Sequence, residues 1–187
     1  MVLYLLLILI SNINNKIIKY NSIKNIKKYF YDNSLNFDIY LNENLTSNKF
    51  LTAEHIFPQC FLKKYIHSNK DMHNIYLTRA DSNLLRSNYP FIDKINKSDN
   101  IYFIENKNYY VPCDLAKGKI ARSLGYMKLI YPRLDLLSVI NIELLLDWNT
   151  KFSPSILELK RNKLIEKKQG NSNIFIDNPN LLELEFD

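Results

Sequence analysis

Residues 52–59 read Thr52-Ala53-Glu54-His55-Ile56-Phe57-Pro58-Gln59, a short strand pattern in which a carboxylate stands directly before an imidazole. Two further polar stretches follow, Asp71-Met72-His73-Asn74-Ile75 and Ser82-Asn83-Leu84-Leu85-Arg86-Ser87-Asn88. The order predicted from these stretches is strand, loop, strand and short helix. The helix is expected to end before Pro90, because a proline disfavours helical geometry in the residue before it. One short region of the chain therefore concentrates candidate bases, metal ligands and cations.

The residue types in this region suit metal-assisted hydrolysis of a phosphodiester bond. We assign His55 as the general base, because a neutral imidazole with a pKa of about 6.5 accepts a proton from water at physiological pH. Glu54 is the candidate anionic metal ligand, and Asn83 supplies an amide oxygen. A hard ion such as Mg²⁺ favours oxygen ligands and keeps several waters, so these two donors form a sensible minimal site.

Strand geometry sets a condition on this hypothesis. Neighbouring side chains on a regular strand point to opposite faces, so Glu54 and His55 share a site only if the backbone twists or leaves the sheet there. Pro58 is consistent with a strand that ends just afterwards. On the following helix, Asn83 and Arg86 are three residues apart and can share the face that closes over the site.

Each candidate residue also has an ordinary structural explanation. A His beside a Glu is commonly a surface pair or a satisfied buried pair, and Asn83 would serve as a helix-start residue. We interpret His73 as structural, held by hydrogen bonds near Asp71. The histidines show no zinc spacing with Cys60 and Cys113, and these two thiols are expected to be buried and free.

Length and composition favour one globular domain, and the order of the predicted elements makes it α+β with a mainly helical C-terminal third. The chain has 187 residues, of which 47% are hydrophobic and 24% are charged, enough for one substantial core. Its formal net charge of +6 fits a polyanionic partner without proving one. The apolar residues 2–10 are either a signal peptide, which implies secretion, or a buried first helix of an intracellular protein.

The pattern of apolar residues and turn formers predicts further elements along the chain. Strands are predicted at 37–41, 50–57 and 73–78, with a hairpin whose arms are 101–104 and 109–111. Helices are predicted within 14–31, at 80–87, from Asp114 to just before Pro132, over 134–148, and from Ser153-Pro154 to Gly170.

Several blocks together resemble the bacterial endonuclease I family, including its extracellular ribonuclease relatives, within the ββα-metal (His-Me finger) nucleases. Residues 54–59 are similar to the family's Glu-His-(Val/Ile)-x-Pro block, 71–75 to Asp-Leu-His-Asn-Leu, and 83–88 to Asn-x-x-Arg-Ser-Asn. Residues 118–127 and 169–177 resemble the family's Gly-Asp-Ile-Ala-Arg…Tyr-Met helix and its closing Gln-Gly-Asn-x-Asn-x-Phe-Ile-Asp segment. Three polar residues of the outer part are interpreted as structural: Arg161, Asn162 and Asn171.

The resemblance implies a ββα-metal core in a nuclease domain over residues 37–187, preceded by an apolar segment and helix over 1–36. It implies His55 as the base and Glu54 with Asn83 as ligands of Mg²⁺, with Mn²⁺ or Ca²⁺ as alternatives. The expected activity is endonucleolytic cleavage of DNA, with RNA as the second choice, by a monomer with little sequence preference. The alternative is a catalytically inactive nucleic-acid-binding module on the same fold.

Two departures from the family pattern affect the predicted substrate contacts. Lys119 stands where the family usually has Asp, and residues 60–70 lack an Arg that some relatives place there beside the transition-state phosphate. Lys63, Lys64 or Arg86 would replace it, because any cation near the developing charge helps, although a Lys lacks the bidentate fork.

Overall fold

The computed structural model describes residues 22–41, 43–45, 51–64, 68–94 and 100–186. Helices and strands both occur in this part of the chain, which confirms the predicted α+β class. In chain order the elements are α1 Ile23–Asp32, β1 Leu51–His55, β2 Ile75–Arg79, α2 Ala80–Arg86, β3 Ile101–Ile104, β4 Lys107–Tyr110, α3 Asp114–Ile130, α4 Ile142–Lys151, α5 Ile156–Gln169, α6 Ile174–Asp177 and α7 Leu181–Phe186. Short 3₁₀ helices lie at Gln59–Lys64, Ser68–Lys70, Met72–Asn74 and Leu136–Ser138.

Strands β1 and β2 form an antiparallel pair that leads directly into α2. Glu54 pairs with Tyr76 and His55 with Ile75, so the last residues of β1 lie opposite the first residues of β2. The side chain of Asn83 on α2 donates to Thr52 Oγ1 at 2.9 Å, which ties the helix to β1. The predicted local order of strand, loop, strand and helix is therefore confirmed.

The hairpin of β1 and β2 separates two groups of buried apolar side chains. One group joins β1 and β2 to α1 and α5, and it contains Ile26, Phe30, Leu51, Met72, Ile75, Leu77 and Ile165. The other joins Ile56 and Tyr76 to α3 and the helices that follow it. Helix α1 thus shares a core with the strands, because Ile26 and Phe30 lie one turn apart on its buried face. The predicted domain boundary at 36/37 stays a prediction.

Helix α3 is buried along most of its length and is crossed at short range by later segments. At Gly118 a Cβ atom would collide with the main-chain oxygen of Phe152, and at Gly125 it would collide with Leu182. Glycine at these two positions allows the close approach. The segments around Phe152 and Leu182 therefore pack closely against α3.

Three predicted elements differ from the structure in ways that have local causes. The strand predicted at 37–41 is wrong: these residues form a turn with one isolated bridge, because Asp38 Oδ1 accepts from the main-chain nitrogens of Tyr40 and Leu41. The helix predicted over 134–148 begins only at Ile142, where the Asn141 side chain caps it. The connection in the β3–β4 hairpin is shorter than predicted, since Glu105 and Asn106 both adopt positive φ in a two-residue turn.

The remaining helix predictions agree closely with the structure. Helix α5 is capped by the Ser155 side chain, two residues beyond the predicted Ser153, and it ends at Gly170 in the left-handed conformation as predicted. Residues 2–10 and most of the first half of the helix predicted within 14–31 lie outside the described residues. Among the residues that are described, no helix is long and apolar enough to cross a membrane.

Candidate active site

An open cavity of about 450 Å³ lies where β1 ends and α2 passes. Its wall consists of Ala53, Glu54, His55, Pro58, Gln59, Cys60, Asn83, Arg86, Ser87 and Asn88. The structure therefore brings four of the six predicted site residues to one cavity. The other two, Lys63 and Lys64, end the 3₁₀ helix that begins at the cavity wall, and their side chains lie outside the described part of the structure.

Glu54 and His55 are the last two residues of β1, and both line the cavity. The strand stops at His55, and the chain bends at Ile56 and Phe57. Asn74 holds this bend: its Oδ1 accepts from Phe57 N at 2.7 Å, and its Nδ2 donates to Phe57 O at 3.0 Å. The chain therefore leaves strand geometry only after His55, while Glu54 and His55 themselves remain paired with Tyr76 and Ile75.

His55 is positioned as a neutral base with one ring nitrogen already engaged. Its Nε2 lies 2.8 Å from the main-chain oxygen of Asn69, and a carbonyl oxygen can only accept, so Nε2 carries the proton. The neutral ring then has an unprotonated Nδ1. Burial lowers the pKa of His55, and the charge of Arg86 lowers it further, while the carbonyls of Asn69 and Ala53 oppose the shift. The imidazole is therefore neutral at physiological pH.

Glu54 is a buried carboxylate whose side-chain contacts are concentrated on one oxygen. It is 2% exposed, and the Tyr40 hydroxyl donates to its Oε1 at 2.5 Å. Arg86 Nε lies 3.4 Å from the same oxygen, close enough for Coulomb attraction. Among the described residues its N–H has no hydrogen-bond partner, however, so the contact is an ion pair without a directed hydrogen bond. Burial raises the pKa of Glu54 to about 7, against the opposing effects of Arg86 and Tyr40.

Asn83 presents its amide oxygen where an ion could use it. Both hydrogen bonds that the Asn83 side chain makes to described residues involve Nδ2, which donates to Thr52 Oγ1 at 2.9 Å and to Ala53 O at 3.3 Å. This arrangement fixes the amide orientation and leaves Oδ1 as the side-chain atom that can coordinate an ion. The half-buried side chain lies in the cavity wall together with Glu54.

Arg86 is buried and directed toward protein acceptors. It is 1% exposed, its Nη2 donates to Ile56 O at 2.9 Å, and its Nη1 donates to Ser87 O at 2.9 Å. The guanidinium carbon lies 4.6 Å from the centre of the Phe91 ring. These contacts hold the end of β1 and place a positive charge beside Glu54. The assignment of Arg86 as a nucleic-acid contact stays a prediction.

The donor set of the cavity fits a hard divalent cation. Within the described residues, no group of three or more His, Cys, Asp or Glu side chains is arranged to hold a metal ion. Glu54 and Asn83 nevertheless offer one carboxylate oxygen and one amide oxygen on the wall of a single cavity. Oxygen donors with open positions for water suit Mg²⁺, whereas zinc favours nitrogen and sulfur ligands.

Three contributors to the site were missed from the sequence: Tyr40, Asn69 and Asn74. Asn69 acts through its main-chain oxygen, which no side-chain pattern reveals. Asn74 lies inside a quoted block, and its position just before β2 is the signal that could have found it. Tyr40 falls in the region predicted as a strand, and its contact with Glu54 is a long-range one without a local signal.

The other polar residues singled out in the sequence have structural positions. His73 is fully buried, and its Nε2 contacts Asn171 O at 3.0 Å. Arg161 donates to the main-chain oxygens of Met72 and Ile75, as expected for a buried structural contact. Both cysteines are free as predicted, but Cys60 is exposed on the cavity wall and Cys113 is only half-buried, so the expectation that both are buried is wrong.

Comparison with known proteins identifies the family to which this chain belongs. The sequence model of the family Endonuclease I matches residues 10–180. The chain belongs to the endonuclease I family. An extracellular deoxyribonuclease of Aeromonas hydrophila is 29% identical over 113 residues, which cover 57% of this chain and 49% of that relative. This endonuclease I family chain thus spans about half the length of the curated relative that it matches.

Proposed function

We propose that this endonuclease I family protein is a divalent-metal-dependent endonuclease that hydrolyses phosphodiester bonds of DNA, with RNA as a second substrate, and with little sequence preference. The observation that carries the proposal is that Glu54, His55 and Asn83 line one open cavity. In this proposal β1, β2 and α2 form the ββα-metal core. The similarity to an extracellular deoxyribonuclease supports DNA as the first choice.

His55 takes the proton of the attacking water in this mechanism. The carbonyl of Asn69 fixes Nε2 as the protonated nitrogen, so Nδ1 is the atom that accepts the proton. Burial keeps the pKa of the ring low enough for the base to be unprotonated before the reaction. A fixed ring orientation also removes the need to reorient the base during the step.

Glu54 and Asn83 would hold the divalent ion, for which we propose Mg²⁺, with Mn²⁺ and Ca²⁺ as alternatives. When bound, such an ion would stabilise the negative charge that develops on the phosphate oxygens and on the leaving 3′ oxygen. The carboxylate of Glu54 has a pKa of about 7 because it is buried, and a nearby cation favours its ionised form. The amide nitrogen of Asn83 is held by Thr52, which leaves its oxygen available to the ion.

Binding of substrate would depend mainly on phosphate contacts. The chain has a net charge of +6, and Lys63 and Lys64 are proposed to contact the backbone near the cavity. Lysine contacts to phosphate release counterions, so affinity would fall as the salt concentration rises and would depend little on base sequence.

Incubation of the purified protein with supercoiled plasmid tests the proposal. In Mg²⁺ we expect nicked and then linear products, and excess chelator should stop the conversion. A gel-shift assay with DNA in chelator, at low salt, measures binding separately. Bound but uncut plasmid under every divalent ion and pH tested would instead identify the inactive nucleic-acid-binding module.

A further inference from the structure

Tyr40 is a buried residue whose hydroxyl reaches the proposed metal ligand. It is 3% exposed, and its hydroxyl donates to Glu54 Oε1 at 2.5 Å. Its ring meets the ring of Tyr110 edge-on, with centroids 5.0 Å apart. The hydroxyl is thus fixed both by its own hydrogen bond and by the packing of the ring.

The turn that carries Tyr40 is attached to β2. Asp38 accepts from the main-chain nitrogen of Tyr40 at 2.8 Å, from Thr78 Oγ1 at 3.0 Å, and from the main-chain nitrogen of Arg79 at 2.7 Å. Because β2 pairs with β1, these bonds hold Tyr40 in register with Glu54. The Tyr40 hydroxyl is more than packing requires, because a Phe in this position would fill the same space and keep these main-chain contacts.

Side chains contact only one oxygen of Glu54, and the main-chain N–H of His55 also donates to the carboxylate. Tyr40 and Arg86 both approach Oε1, and no side chain among the described residues makes a hydrogen bond or ion pair with Oε2. A short bond from a neutral donor to one carboxylate oxygen fixes the rotation of the group without cancelling its charge. Partners of this kind orient metal ligands and tune their affinity.

We propose that Tyr40 is a positioning residue of the metal site: its hydroxyl holds Oε1 of Glu54 so that Oε2 is the oxygen presented to the divalent ion. The inference rests on the proposed role of Glu54 as a ligand. It gives Arg86 the same function from the other side, since its guanidinium holds the same oxygen by charge instead of a directed hydrogen bond.

The test is Tyr40→Phe, which removes only the hydroxyl, with Tyr110→Phe as the matched control. Tyr110 is equally buried and touches the Tyr40 ring, and it makes no hydrogen bond to Glu54 among the described contacts. Binding of Mn²⁺ is measured without DNA by electron paramagnetic resonance of the free ion. We expect Tyr40→Phe to weaken Mn²⁺ binding about 10-fold. Tyr110→Phe should stay within about twofold of the unmodified protein.

A second readout separates positioning from general loss of structure. Cleavage by Tyr40→Phe should need about 10-fold more Mg²⁺ for half-maximal rate, with much of the rate restored at saturating Mg²⁺. In a Glu54→Gln background, Tyr40→Phe should cause no further loss of Mn²⁺ binding, because the carboxylate that Tyr40 positions is gone. This double variant also shows whether a stability effect alone lowers the affinity.

The outcomes distinguish this inference from the proposed function. If the unmodified protein binds Mn²⁺ and cuts DNA while Tyr40→Phe matches it in both, Tyr40 is only a core residue and the inference is wrong. An additional loss in the Glu54→Gln background would also overturn it. If the unmodified protein neither binds Mn²⁺ nor cuts DNA, the proposed function itself fails.

Discussion

Two regions of this protein place an imidazole close to a carboxylate, and only one of them opens to solvent. At the end of β1, His55 follows Glu54 and is 9% exposed on the cavity wall. Before β2, His73 follows Asp71 by two residues and has no exposed surface. In both regions Nε2 contacts a main-chain oxygen, at 2.8 Å for His55 and 3.0 Å for His73. Access to solvent, and not the residue pair, separates the candidate site from the structural one.

The two carboxylates differ in the same way. Both oxygens of Asp71 are occupied by donors, which come from the His73 main chain, Gln169, Tyr126 and Tyr131. Side chains of the described residues reach only Oε1 of Glu54. A fully occupied carboxylate joins distant segments, whereas a half-occupied one at a cavity wall can still accept a ligand.

The largest expected effect is that of His55→Ala on cleavage. Loss of a general base costs about 10³-fold in rate, and we expect a drop of this size in plasmid nicking under saturating Mg²⁺. DNA binding in chelator and the unfolding temperature should change little, because His55 lies on the wall of an open cavity. Cleavage at the unmodified rate would remove His55 from the mechanism.

For His73→Ala we expect a loss of stability with little change in cleavage. Removing a fully buried ring and its hydrogen bond to Asn171 should cost about 3 kcal/mol of unfolding free energy. Denaturant titration measures this loss, and nicking assays at low temperature, normalised to folded protein, should stay within about twofold of the unmodified protein. A selective loss of cleavage with intact stability would make His73 a functional residue and break the contrast.

The pH dependence of the unfolding free energy should also reveal the titration of the buried His73 ring. Burial lowers the pKa of His73 to about 4, below the value of about 6.5 for an unfolded chain. Between these values the unfolded chain binds the proton first, so stability falls as the pH falls. The loss from this group should be about 2 kcal/mol between pH 6.5 and 4.5.

The variant that isolates this contribution is His73→Gln, which cannot titrate. Denaturant midpoints measured across the same pH range should show a flatter slope than in the unmodified protein. An identical slope in both proteins would mean that other groups control acid unfolding.

A smaller effect is expected at the edge of the cavity. Asn83→Ala removes an amide oxygen from the proposed ion site and should raise the Mg²⁺ concentration for half-maximal nicking about 10-fold. Asn88→Ala is the matched control, because Asn88 lines the same cavity without an assigned ligand role. Equal responses of the two variants would show that Asn83 is not a ligand.

The sequence predicted the elements around the cavity where local signals were strong. The strand predicted at 50–57 is β1 Leu51–His55, and the helix predicted at 80–87 is α2 Ala80–Arg86. Apolar and β-branched residues with a nearby proline are sufficient for such segments. The strand predicted at 37–41 failed because the Asp38 carboxylate bonds to its neighbours' backbone, which a pattern of apolar residues does not register.

The sequence by itself determined the chemical types and their order: a carboxylate beside an imidazole, then an amide on a short helix. These are properties of side chains and of their local spacing. Only the tertiary structure decided that Tyr40 holds Glu54, that Arg86 is buried, and that His55 meets a cavity while His73 meets Asn171. The reason is physical, because burial and hydrogen bonds between residues far apart in the chain arise only when the chain packs.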